Sequence, residues 1–158
     1  MPDHYRVRVA TLEDREVLIR HRIAMFTDMH VPMDEAALAS AFGEWLAGTM
    51  PSGVYRAWLV EDDDGRVIGG GGATILPWPP GPRYLGTRLA FVYNVYVERS
   101  HRRRGIARLV MEAIHAWCRD NGVASIALNA SADGRPLYEA LGYGVSPNPM
   151  MFFSVLGV

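Results

Sequence analysis

Lysine is absent. All 16 basic residues are arginine, which excludes Schiff-base chemistry on a chain lysine and the Gly-Lys-Ser/Thr phosphate loop of ATPases. Cysteine is nearly absent. Cys118 stands alone, so no intramolecular disulfide, Cys-rich zinc site or Cys-x-x-Cys pair can form. Neither Gly-x-Ser-x-Gly nor His-Glu-x-x-His occurs. No apolar run approaches the ~20 residues of a membrane span. The first nine residues hold Asp3, Arg6 and Arg8 and no apolar stretch, unlike a secretory signal. A cytoplasmic protein with a reduced Cys118 and no membrane partner is expected.

What is present suits one mixed α/β domain over residues 1–158, with 49% apolar and 21% charged residues. A net charge of −1 argues against a general nucleic-acid surface, so no nucleic acid partner is expected. The charge is uneven, however. Residues 99–108 hold five arginines and no acid, leaving eleven arginines against seventeen acids elsewhere. One positive segment on an acidic body suggests a local anion site.

Alternation over Tyr5–Ala10 predicts a strand. Thr11 with Asp14 predicts a helix start, and Leu12, Ile19, Ile23 and Phe26 recur at helical spacing to Asp28. A second helix is expected from Asp34 to Ala47, burying Ala37, Phe42, Trp45 and Leu46. Val54–Glu61 and Arg66–Leu76 read as a hairpin about Asp62-Asp63-Asp64-Gly65. Those aspartates lack further ligands at metal-loop spacing, so no metal is expected. The prolines of 77–82 make a loop. Leu89–Val97 is a long apolar strand. Gly105–Asn121 is an amphipathic helix with Ile106, Val110, Ile114 and Trp117 on one face. Ala124–Asn129 is a short strand, Asp133–Leu141 contains a short helix, and Met150–Val155 is a closing strand. The order is β-α-α-β-β-β-α-β-α-β-β.

The richest constellation is strand, basic loop, glycine, helix. Val95-Tyr96-Val97 leads into Arg102-Arg103-Arg104-Gly105-Ile106-Ala107-Arg108. A helix start offers free N–H groups and the positive end of its dipole, and small residues let phosphate oxygens approach. The competing reading is a solvated charge run before an ordinary helix. The Gly69–Gly72 run has no following lysine and lies in a strand, so close backbone approach explains it better than a nucleotide loop.

Arg102 to Ala107 resembles the R/Q-x-x-G-x-G/A signature of the GNAT superfamily, the acetyl-coenzyme A-dependent N-acetyltransferases. Ala107 stands where glycine is commoner, an accepted variant. Asn94-Val95-Tyr96-Val97 is similar to that family's fourth strand. Thirty residues beyond the signature, Leu137-Tyr138…Gly142-Tyr143 is similar to its Leu-Tyr…Gly-Phe motif. The element order matches too, so the resemblance covers residues 5–157.

The resemblance implies a mostly antiparallel sheet with its fourth and fifth strands splayed. It implies acetyl-coenzyme A as cofactor, its pantetheine on the main chain of Val95, Tyr96 and Val97. The pyrophosphate would meet the N–H groups of Arg103 to Arg108, with Arg102 completing the loop. It implies Tyr138 as the acid that protonates the departing thiolate; the alternative is a core aromatic. Glu98, Tyr93 and His30 are candidate bases. Asn94 and Asn129 either orient the acyl or acceptor group or make ordinary strand-end or bulge hydrogen bonds. Phe26, Met29, His30, Met33, Trp78 and Tyr84 would line the site of an amine acceptor. A homodimer is common among relatives. The rival to an enzyme is a non-catalytic module that senses coenzyme A or binds RNA phosphates.

Overall fold

The computed structural model describes residues 4–156. Its elements are β1 (Arg6–Val9), α1 (Arg15–Asp28), α2 (Glu35–Thr49), β2 (Tyr55–Glu61), β3 (Val67–Pro77), β4 (Arg88–Val97), α3 (Ile106–Asp120), β5 (Ser125–Leu128) and α4 (Arg135–Ala140). The strands form one sheet in chain order. β1 through β4 pair antiparallel, and β4 pairs parallel with β5. A short turn joins β2 to β3 and the proline loop joins β3 to β4, whereas α1 and α2 lie between β1 and β2, and the parallel β4–β5 pair needs a crossover, which α3 supplies.

The Thr11 and Asp14 side chains form the reciprocal cap expected from their spacing, over a 3-10 turn that opens α1. Arg8 grips both Asp14 oxygens at 2.8 Å. Leu18 and His21 are the buried residues of α1. The stripe read from the sequence is only half-buried, because Ile19 and Ile23 line an open groove with Glu35 and Arg99. In α2 the buried residues are Phe42, Gly43 and Leu46, while Ala37 is exposed and Trp45 stacks partly in solvent on Phe42.

The glycine run admits side chains to both faces of β3. A Cβ on Gly71 would lie 2.9 Å from Val110 of α3, and one on Gly69 3.0 Å from Ile106. On the other face, a Cβ on Gly72 would overlap the Tyr55 hydroxyl. Gly72→Ala must therefore displace a ring that is 2% exposed and packed at 4.9 Å on Trp45. Overpacking and the lost Tyr55 hydrogen bond together predict a cost of about 2–4 kcal/mol. Urea denaturation checks this, and adding Tyr55→Phe should recover part of the loss.

The fold class holds, but the strand expected over Met150–Val155 does not form. Among the described residues, no strand or helix follows α4. Met-Met-Phe-Phe lacks period-2 alternation, so it suits a strand only if both faces are covered and an edge is available. Neither condition is met: Met151, Phe152 and Phe153 are 89%, 94% and 85% exposed. Pro147 and Pro149 further restrict the approach. Among the described residues, no helix is long and apolar enough to cross a membrane.

Candidate active site

The site is built where β4 parts from β5. Their pairing ends at Val92 and Leu128, yet β4 continues for five residues, Tyr93 to Val97, still paired with β3. A bulge causes the change. Between the Tyr93–Gly72 and Tyr96–Gly70 pairs, β4 carries one residue more than β3. Asn94 takes a left-handed φ of 61° there, a conformation asparagine tolerates better than most residues. Its side chain fixes the bulge on the α1/α2 side of the sheet. The Nδ2 donates to Tyr55 Oη at 2.9 Å, and Oδ1 accepts from Arg22 Nη1 at 2.5 Å. Asn94 thus makes bulge hydrogen bonds with both side-chain groups, and Gly72 makes room for the tyrosine that holds it.

Beyond the bulge, Glu98 N–H donates to Ile68 C=O at 2.8 Å. Val97 therefore turns its own N–H and C=O away from β3. Its carbonyl accepts from Arg102 Nε at 2.8 Å, and Arg102 Nη2 contacts Asp28 at 2.6 Å. The Arg102 guanidinium also lies 5.5 Å from the Tyr96 ring centroid. Arg102 acts first as a tie between β4 and the end of α1.

The loop then turns through two left-handed residues, Arg103 (φ 62°) and Gly105 (φ 79°). Such turns gather successive N–H groups into a concavity. The N–H groups of Arg103, Gly105, Ile106, Ala107 and Arg108 meet no acceptor among the described residues; Leu109 N–H makes the first bond of α3, to Gly105 C=O. A Cβ on Gly105 would touch nothing within 4 Å, so the approach to this concavity is open. Arg104 Nη1 reaches Tyr5 Oη at 3.2 Å, and Arg108 pairs loosely with Glu112 at 3.9 Å. The concavity is chiefly main chain, with arginine charge at its rim. Residues and shape fit a pyrophosphate.

Tyr138 lies on the α3 side of the sheet, 9% exposed, in the apolar cluster that includes Val92, Val110 and Met111. Its ring rests on the bare backbone of Gly134, where a Cβ would be 3.0 Å away, and meets Tyr143 edge-on at 5.9 Å. Gly142, at φ 99°, turns the chain back so that Tyr143 N–H caps Tyr138 C=O at 2.9 Å. Tyr143 Oη then engages His115 Nε2 at 2.6 Å. The Tyr138 hydroxyl makes no hydrogen bond among the described residues, and burial pushes its pKa up. It stays protonated at neutral pH, as a proton donor must. Cys118 is 2% exposed, and burial raises its pKa as well.

The remaining residues are dispersed. Tyr93 is 36% exposed and stacks on Phe91 at 4.9 Å. Phe26 is half-buried beneath Arg22. His30 and Asn129 are exposed without side-chain hydrogen bonds among the described residues. Trp78 is exposed on the proline loop, its N–H closing onto Thr87 C=O. Glu98 is engaged by Arg20 at 3.1 Å. The grooves of about 600 and 390 Å³ are lined by neither Tyr138 nor Asn94.

Sequence reasoning missed His21, Arg22 and Tyr55. The signal for His21 and Arg22 was polar side chains in a helix that also buries Leu18, and Tyr55 was one aromatic at the start of an apolar strand. His21 is enclosed between α1 and β4, its ring 5.1 Å from Tyr96, its Nε2 3.8 Å from Glu98 and without a hydrogen bond among the described residues. Burial, aided by Arg20, holds its pKa at about 4 against the opposing pull of Glu98. That value lies below the ordinary 6.5. The stability held by neutral His21 is therefore present above pH 6.5 and lost as pH falls toward 4. Between pH 7 and 4.5 the loss should be about 2 kcal/mol. Denaturant midpoints should show it, and His21→Gln should flatten the slope to what His115, also lowered by burial, and, near the acid end, the lowered carboxyls of Asp14, Asp28 and Glu61 contribute.

Comparison with known proteins agrees with this architecture. The model of the acetyltransferase (GNAT) family matches residues 23–143. The chain is 32% identical to a GCN5-related N-acetyltransferase from Ralstonia eutropha JMP134, with a TM-score of 0.84 over 98% of this chain and 100% of that one. A Clostridium acetobutylicum structure described as a predicted acetyltransferase with acetyl-CoA is 21% identical, with a TM-score of 0.81 over 95% and 96% of the two chains. Mouse probable N-acetyltransferase family 8 member 5 is 29% identical over 92 residues, which is 56% of this chain and 39% of that protein's length. The chain belongs to the acetyltransferase (GNAT) family.

Proposed function

We propose that this chain is a single-domain acetyltransferase that moves acetyl from acetyl-coenzyme A to a primary amine by direct attack. The observation that carries the reading is that the N–H groups of Gly105 to Arg108, at the start of α3, meet no acceptor among the described residues, at the end of a strand that has left its neighbour. Acetyl-coenzyme A supplies an acyl group already activated as a thioester. The main chain of Arg103 to Arg108 holds the pyrophosphate, and the freed edge of Val95 to Val97 receives the pantetheine arm. Tyr138 donates its proton to the departing sulfur. Cys118 is enclosed in the core, so the amine attacks without an acyl-enzyme on that thiol. The splayed strands leave a gap between the Tyr138 side of the sheet and the Asn94–Tyr93 side, through which acyl group and amine meet. A thiol-release assay with a panel of amines tests this. Amine-dependent release supports it; tight coenzyme A binding without release on any amine would make the chain a sensing module.

A further inference from the structure

Several arginines of this chain hold carboxylates. Arg8 holds Asp14 and Glu61, Arg20 holds Glu98, and Arg99 and Arg102 share Asp28. Arg22 is different. It is half-buried and salt-bridges no carboxylate among the described residues. Its guanidinium lies 5.0 Å from the Phe26 ring and 4.9 Å from the Phe42 ring. Nη1 donates to Asn94, Nε is buried without an acceptor, and Nη2 makes no hydrogen bond among the described residues. The phenols of Tyr55 and Tyr93 are the groups that act on its charge, and burial lowers its pKa. A half-buried cation without a counter-ion costs free energy that ring faces and one amide offset only in part. The planar guanidinium fork matches a carboxylate.

Its place in the fold matters as much. Arg22 binds the bulge residue itself, where β4 leaves β5, on the sheet face that Phe91 and half-exposed Tyr93 share. We infer that Arg22 recognises a carboxylate on the acetyl acceptor, so that the acceptor is an amino acid-like molecule with amine, carboxylate and an apolar or aromatic side chain. The inference rests on the transferase reading above. Tyr93, Phe91 and Phe26 supply the apolar surroundings.

Matched acceptors test it: phenylalanine against phenethylamine, and methionine against 3-(methylthio)propylamine, with the parent protein, Arg22→Lys and Arg22→Met. The parent should prefer the carboxylated member at least ~10-fold in kcat/KM, since a charge-assisted hydrogen bond contributes about 1.5–3 kcal/mol. Arg22→Met should bring the ratio to about one, with Arg22→Lys between. A role confined to holding the bulge would lower both members equally and raise the KM for acetyl-coenzyme A. That outcome overturns the inference, as does a parental preference for the plain amine or for a phosphate in place of the carboxylate. If no amine is acetylated, the transferase reading fails. Binding of N-acetylphenylalanine against N-acetylphenethylamine then still decides on Arg22, because equal affinity, or no change in Arg22→Met, sinks it.

Discussion

Gly105→Asp is expected to weaken coenzyme A binding at least ~100-fold, or about 3 kcal/mol. Two causes act together. The new carboxylate would stand against the pyrophosphate, in the concavity formed by the N–H groups that open α3. It would also cancel the partial positive charge of the helix start, where an anion is held most favourably. The fold itself should survive. Nothing lies within 4 Å of a Cβ at this position, and aspartate tolerates a left-handed φ better than most residues. Gly105→Asn shares the shape and the backbone demand without the charge, so it should lose much less. Calorimetric titration across salt concentrations separates the two causes. The charge penalty should shrink with added salt, whereas a steric penalty should not. Equal affinity for the parent and Gly105→Asp would remove the pyrophosphate from this loop.

The helix start was readable because several local signals agree there. A long apolar strand, a glycine at the turn and an amphipathic helix with Ile106, Val110 and Ile114 each have their own periodicity. The structure buries all three of these residues. The splay of β4 from β5 was expected only through resemblance, and its cause was hidden. That cause is the bulge at Asn94, held by Arg22 from a helix 72 positions earlier in the chain and by Tyr55, 39 positions earlier. No window of local sequence contains those three residues together. The same holds for the glycine run. Its reading as close backbone approach was available from composition, but which side chain claims which glycine depends on sheet register. The C-terminal segment shows the converse error. Apolar content suggested a strand over Met150–Val155, yet a strand also needs a partner edge and a second layer, and neither is encoded in the segment itself.

Tyr138→Phe tests the chemistry most directly. The substitution removes one oxygen and keeps the ring on Gly134 and against Tyr143. The hydroxyl makes no hydrogen bond among the described residues, so stability should change by less than about 1 kcal/mol. Coenzyme A affinity should also hold, because the loop and the freed edge of β4 are untouched. Turnover should fall ~10–10³-fold, within and somewhat below the usual worth of a positioned acid. The lower part is favoured because a thiol of pKa about 8.5 leaves tolerably without help. Its pH dependence follows from the same argument. Burial keeps Tyr138 protonated beyond the ordinary phenol range, so the parent retains its acid across neutral and mildly alkaline pH. In the variant the thiolate must leave unassisted, which requires the attacking nitrogen of the adduct to have lost its proton to solvent, and that loss is favoured as the solution grows more basic. The gap between the two should therefore narrow as pH rises from 6 to 9. A structural role would look different, with melting temperature and cofactor affinity falling together at every pH. Parental turnover in Tyr138→Phe throughout that range would assign the proton to water and leave Tyr138 as a core aromatic.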